Sequence, residues 1–137
     1  MKKILLDTNA LISFIIDRDE AQNQMVYEIL SGKYDFNVYL ISNVISEFVY
    51  VLQRIYLVPS CKISQMVKDL LKMPNLDFVE GYFPDVVFKV WPDKIKDFGD
   101  SVIASASLVM KIPVYTFDKK LSAQLKRIKC KHKLLTK

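Results

Sequence analysis

An α/β fold, built as a three-layer α/β/α sandwich around a mainly parallel sheet, is expected from three observations. Short apolar runs alternate with longer helical patterns along the whole chain. The first run, Ile4–Leu6, is continuously apolar, as a strand covered on both faces must be. No internal repeat, linker or low-complexity segment interrupts that alternation.

The elements follow in order. Ile4–Leu6 is the first strand and ends at Asp7; Ala10–Ile16 is a short helix. Glu20–Ser31 carries Ala21, Met25, Ile29 and Leu30 at helical spacing, and Gly32 suits its end. Val38–Ile41 is the second strand. Asn43–Leu57 is a long helix with Val44, Phe48, Val51, Leu52 and Ile55 on one face, stopping before Pro59. Ser60 is placed to cap a helix bearing Ile63, Met66, Val67, Leu70 and Leu71. Leu76–Val79 is the third strand, and Pro84 suits the first turn of a helix reaching Trp91. A helix dense in small and apolar residues covers Ser101–Met110. Val114–Phe117 is a strand ending at Asp118, Lys119–Arg127 is helical, and Lys133–Leu135 is a last short strand. With 137 residues, no repeat and no linker-like stretch, one domain is expected over residues 1–137.

Composition narrows the chemistry. There are 3 Gly, spaced too widely for a dinucleotide-binding or P-loop motif. One His, His132, excludes a site built on several imidazoles, and 2 Cys without a CxxC exclude a cysteine-rich zinc site. No apolar run approaches the ~20 residues of a membrane span. The apolar stretch at the start is broken by Asp7 before a leader-like region forms, so a cytoplasmic location is expected. Carboxylates must supply most of any chemical site.

Several carboxylates stand at unusual places. Asp7 and Asp118 each follow an apolar strand directly, where open parallel sheets bind ligands, although either acid would also serve as a helix cap. Glu47 shares a helical face with Val44 and Val51, and an acid on an apolar face is costly unless it is paired or binds metal. Asp97 and Asp100 bracket Phe98-Gly99; capping explains one of them, not both. If Asp7, Glu47, Asp100 and Asp118 converge, each pair ~5 Å apart repels by roughly 3 kcal/mol at an effective dielectric of ~20. That repulsion calls for a cation, and an all-oxygen donor set selects a hard one, Mg²⁺ or Mn²⁺. Metal-assisted phosphodiester hydrolysis is the chemistry such a site suits.

Four segments resemble the PIN-domain ribonucleases, in particular the VapC-type toxins: LLDTNALI at 5–12, SNVISEFVYVL at 42–52, DFGDSVIASAS at 97–107 and VYTFDKKL at 114–121. The resemblance implies that Asp7, Glu47, Asp100 and Asp118 form the catalytic, metal-binding quartet, with Asp97 as an additional acid. Asn9 and Thr116 resemble the family's polar residues beside the first and last acids, and Thr8, Asn9 and Thr116 are expected to orient the acids or a coordinated water. The resemblance also implies metal-dependent cleavage of single-stranded RNA, a homodimer, and inhibition by a small antitoxin protein. A PIN-like module that binds RNA or protein without cutting, or a PIN nuclease of RNA processing with no antitoxin, are the alternatives. A receiver domain is disfavoured because no second acid adjoins Asp7. A haloacid-dehalogenase-like phosphatase is disfavoured because Asn9 stands where its second acid belongs.

The charge is +5, and eight of the 20 Lys and Arg lie at or beyond Lys119, where no acid occurs. RNA contacts are expected from Lys119, Lys120, Lys126, Arg127, Lys129 and Lys131. His132 reads as a surface residue or phosphate contact, Phe88 and Trp91 as core or dimer packing, and Tyr50, Tyr56 and Met66 as candidate dimer contacts.

Overall fold

The structure, a computed structural model, describes residues 2–16 and 18–136; Met1, Asp17 and Lys137, the last residue of the cationic segment, lie outside them. In chain order the elements are β1 (Lys2–Leu6), α1 (Thr8–Ile15), α2 (Glu20–Leu30), β2 (Phe36–Ile41), α3 (Ser42–Arg54), α4 (Ser60–Leu71), β3 (Leu76–Val79), α5 (Pro84–Val90), α6 (Phe98–Met110), β4 (Val114–Thr116), α7 (Lys119–Arg127) and β5 (His132–Leu134). The five strands form one sheet in the order β3-β2-β1-β4-β5, and every neighbouring pair is parallel. The expected α/β sandwich is therefore observed, with a sheet that is parallel throughout.

The strand order explains why β1 is apolar on both faces. It is the central strand, and Ile4, Leu5 and Leu6 are each 0% exposed. The chain runs outward from β1 to β2 and β3, then returns to the other side of β1 for β4 and β5. The connections therefore leave β1 and β4 in opposite directions, which opens a crevice beyond their carboxyl ends. Asp7 follows β1 and Asp118 closely follows β4, so both stand at that crevice.

Helix α6 is the most deeply set helix: Ser101 to Ser107 are buried without interruption. Small side chains permit that depth, and the serines satisfy themselves on backbone carbonyls. Ser105 Oγ donates to Ser101 O at 2.7 Å, Ser101 Oγ to Asp97 O at 3.0 Å, and Ser107 Oγ to Ile112 O at 2.6 Å. Among the described residues no helix is long and apolar enough to cross a membrane.

Three local expectations change. Ser60 is the first residue of α4 rather than its cap; Pro59 takes the cap position, and the Ser60 hydroxyl accepts from Gln53 Nε2 at 3.0 Å. Helix α3 stops at Arg54, not Leu57, because the chain turns back: Val58 N donates to Leu52 O, and Leu57 adopts φ +55°. Helix α6 begins at Phe98, three residues before the expected start, because the Asp97 side chain caps it. Gly32 does follow the end of α2, in the left-handed conformation at φ +91°.

Candidate active site

Asp7 is the first residue beyond the central strand and is 5% exposed. Both of its oxygens are held. Oδ1 accepts from Ala10 N at 3.0 Å, which caps α1, and Oδ2 accepts from Thr116 Oγ1 at 2.5 Å. The Thr116 hydroxyl also accepts from Asp118 N at 2.9 Å. One hydroxyl at the end of β4 thus ties the acid after β1 to the backbone of the acid after β4. Asp118 Oδ1 caps α7 through Lys120 N at 2.9 Å and Leu121 N at 3.1 Å. Capping and convergence are compatible here, because each carboxylate keeps unused lone pairs.

Glu47 reaches the same crevice from α3 and is half-buried. Its Oε1 accepts from Thr8 Oγ1 at 3.0 Å and from Asn43 Nδ2 at 3.3 Å, one helical turn back. Gly99 lies against this carboxylate so closely that a Cβ on Gly99 would stand 2.7 Å from Glu47 Cδ. Asp97 Oδ1 accepts from Asp100 N at 2.9 Å. The Asp100 carboxylate accepts no hydrogen bond from any described residue.

The electrostatics report the crowding. Burial pushes the Asp100 carboxyl up to about 7, and the charges of Asp97, Asp7, Asp118 and Glu47 add to it. Asp7 is pushed up to about 6, chiefly by burial, with smaller upward effects from Asp118 and Glu47. The Thr116 and Ala10 hydrogen bonds pull it part of the way back. Glu47 is raised by burial and by Asp97, against the stabilising Thr8 hydroxyl. Five carboxylates from α3, the α6 N-terminus and two strand ends therefore share one electrostatic neighbourhood. Among the described residues, no three carboxylate, imidazole or thiolate groups are gathered tightly enough to grip an ion as they stand.

The remaining candidates are dispersed. Thr8 and Thr116 bond acids directly, whereas Asn9 is engaged elsewhere: its side-chain and main-chain oxygens both accept from Arg18, which also donates to Ser13 Oγ at 2.8 Å. Lys119 and Lys120 are exposed beside Asp118. Lys126 and Arg127 occupy the last turn of α7, with Lys129 and Lys131 beyond it. That helix of nine residues, about 13 Å long, carries the chain back toward the start of β5. These four cations thus lie at the opposite end of the sheet from the carboxylates. His132 is there too, its ring bridging Ser122 Oγ and Cys130 O, each at 2.9 Å.

Gly99, Asn43 and Arg18 are contacts of the site that residue type alone did not announce. A Gly between two acids at a helix start is a sign of close approach, and Asn43 precedes Glu47 by one helical turn; Arg18 gives no such signal. Replacing Gly99 with Ala forces Glu47 aside, because the clash is with a carboxylate already anchored by two hydrogen bonds. The expected result is a folded protein whose apparent affinity for Mn²⁺ falls about tenfold, measured by titrating the ion against melting temperature. Unchanged metal affinity would mean that Glu47 has room to move.

Solved structures share this architecture. VapC20 of Mycobacterium tuberculosis, a sarcin–ricin loop cleaving toxin, superposes with a TM-score of 0.65 at 16% identity, over 88% of this chain and 93% of that one. VapBC2 of Rickettsia felis, solved bound to a DNA fragment from its promoter, gives 0.63 at 15%, over 96% and 97%. FitAcB of Neisseria gonorrhoeae gives 0.63 at 16%, over 90% and 93%. No curated protein matches the sequence. At such identities the likeness speaks for the fold; the sequence itself is decided by the PIN domain family, which matches residues 4–125, and the chain belongs to that family.

Proposed function

We propose that the protein is a metal-dependent ribonuclease that cleaves single-stranded RNA, acting as the toxin of a toxin–antitoxin pair. The observation that carries this reading is Asp100, a carboxylate without a hydrogen-bond donor among the described residues, raised to about 7 by burial and by four other acids. An all-oxygen, anionic and partly desolvated donor set fits a hard divalent cation. Asp7, Asp100 and Asp118, with Glu47 and Asp97, would hold Mg²⁺ or Mn²⁺. A cation held there offsets the repulsion between the carboxylates and the phosphate, and makes water acidic enough to hydrolyse a phosphodiester at neutral pH.

The chain's own contribution is orientation. Thr116 and the Ala10 amide fix both oxygens of Asp7, so that this acid presents its remaining lone pairs without rearranging. Thr8 and Asn43 hold Glu47 on one oxygen and leave the other for the site. Asp100 accepts no hydrogen bond among the described residues, which would leave both of its oxygens for the site. The toxin role and the antitoxin partner draw on the VapC likeness and on the names of the related structures. A homodimer is part of the same reading, with Tyr50, 61% exposed, among the apolar side chains a second copy would cover.

Labelled single-stranded RNA incubated with the protein is expected to be cut with Mg²⁺ or Mn²⁺ and left intact with EDTA. Cleavage that survives EDTA, or no rise in melting temperature at millimolar Mn²⁺, overturns the proposal; the second result favours a PIN-like module that binds without cutting.

Lys119 and Lys120 flank the carboxylates and would meet the phosphates nearest the cut. Neutralising both to Gln lowers the slope of log affinity against log salt by roughly 0.7 for each phosphate left without its cation. Neutralising Lys126, Arg127, Lys129 and Lys131 flattens that slope further if the strand continues along α7, and leaves metal binding intact. An unchanged slope in the second variant confines the RNA track to the acidic end.

A further inference from the structure

We propose that Phe88 and Phe98, braced by Trp91, form a platform on which an unpaired RNA base stacks beside the carboxylate cluster. The inference rests on the ribonuclease reading and adds to it how the site would hold its strand.

Three rings meet where α5 ends and α6 begins. Trp91 and Phe98 are edge to face, with centroids 5.1 Å apart and an angle of 83°. Phe88 meets Trp91 at 5.9 Å and 71°, and Phe98 at 6.1 Å and 43°. The Trp91 ring is fixed again by its Nε1–H, which donates to Lys96 O at 3.1 Å. Core packing accounts for Trp91 but not for the two Phe rings. The buried residues of α5 are Val87 and Val90, while Phe88 is 58% and Phe98 38% exposed. Aromatic rings locked by one another, yet open to solvent, are ready to bind with little further loss of side-chain freedom.

Their position indicates the occupant. Phe98 stands between Asp97 and Gly99-Asp100 in the first turn of α6, and Gly99 lies against the Glu47 carboxylate, so the backbone that carries the platform adjoins the acidic site. A strand with a phosphate at those carboxylates has a neighbouring base within reach of the rings. Lys89, Lys94 and Lys96 are exposed along the same segment, interleaved with Asp85, Asp93 and Asp97, and would give cations for the flanking phosphates. A second copy of the chain fits less well. A two-fold contact through this patch would bring two acidic clusters toward each other. Stacking accepts any base, since each presents a π-face, so the platform would place the strand without reading its sequence.

Trp91 is the chain's single tryptophan, which makes the test direct. Asp7→Asn protein, with Mg²⁺ present, is titrated with a fluorescently end-labelled single-stranded RNA of eight nucleotides. Label anisotropy and Trp91 emission are followed together. The expected result is a change in emission that saturates with the anisotropy. Affinity should fall about tenfold in Phe98→Leu and in Phe88→Leu, each added to Asp7→Asn, and be kept in Phe98→Tyr, which preserves a stacking ring. Melting curves of each variant confirm that it is folded.

If RNA binds while Trp91 emission and both Leu variants remain unaffected, the platform is overturned and the ribonuclease reading stands. If sedimentation shows that the Leu variants break a dimer without altering RNA affinity, the rings belong to a subunit contact and the platform is likewise overturned. If RNA neither binds nor is cleaved by the wild-type protein with metal, the ribonuclease reading fails first and the platform with it.

Discussion

Asp7→Asn is expected to leave a folded protein whose RNA cleavage falls by at least about a hundredfold. The substitution separates two roles that one side chain combines. As the cap of α1, Asp7 accepts from Ala10 N, and Asn caps a helix about as well as Asp does. As a carboxylate it adds negative charge where Asp100, Glu47 and Asp118 already stand, and Asn lacks that charge. The amide also removes an acceptor: if its nitrogen faces Thr116, two donors meet, so Asn must present its oxygen there or to Ala10. The rate is measured on labelled single-stranded RNA at saturating Mn²⁺, with circular dichroism reporting the fold. Equal rates for the variant and the wild type would remove Asp7 from the chemistry and leave it a helix cap.

The metal-free protein is expected to lose stability as pH rises from about 4 to about 7. Asp7 is raised from 3.8 to about 6 and Asp100 from 3.8 to about 7. Between those limits the native state keeps protons that the unfolded chain has released, so raising the pH draws the equilibrium toward the unfolded chain. Well above 7 both groups are ionised in both states and their contribution no longer changes. Coupling between the two carboxyls makes their effects non-additive, and the total is on the order of a few kcal/mol. For a chain of this length that is on the order of 10 °C in melting temperature.

On the proposed reading a divalent ion would bind the ionised carboxylates, so its stabilising effect should be larger at pH 8 than at pH 5, reversing part of the loss. Asp7→Asn removes one of the raised carboxyls, so the metal-free variant should melt higher than wild type at pH 8 and show a shallower pH dependence. The check is a set of melting curves from pH 4 to 8, with EDTA and with Mn²⁺. Parallel curves for the variant and the wild type would show that the Asp7 carboxyl is not raised in the native protein.

The reach of the sequence differs between fold and site. β1 is legible because a strand covered on both faces has no polar position to blur it. α7 is legible over its full length because Asp118 before it is an efficient cap and apolar and charged residues alternate at helical spacing. The start of α6 is not. Phe98 and Gly99 are weak helix formers, and the turn is held by Asp97, whose side chain accepts from Asp100 N and whose carbonyl accepts from Ser101. Ser60 misleads for a related reason: a good cap residue is a propensity, and here Gln53 claims its hydroxyl while Pro59 takes the turn.

The acids stand out one at a time, because each breaks a local rule: an acid ending an apolar strand, an acid on an apolar helical face, two acids where one cap suffices. Asn9 and the distal cations show the limit of that kind of reading. Nothing local to Asn9 tells that Arg18 will engage it, and nothing local to Lys126, Arg127, Lys129 and Lys131 tells that α7 will carry them away from Asp118.

The alternation of strands and helices, the buried central strand and the unusual acids can all be read along the chain, since they depend on periodicity and on the cost of a charge within a few residues of apolar neighbours. Packing of the sheet and its helices is what returns β4 beside β1, so that Thr116 bonds Asp7 across 109 positions of chain. It alone set Gly99 against Glu47 and separated one group of lysines from the site. Those are long-range contacts, fixed by how the whole sheet and its helices pack, and no window of neighbouring residues contains both partners.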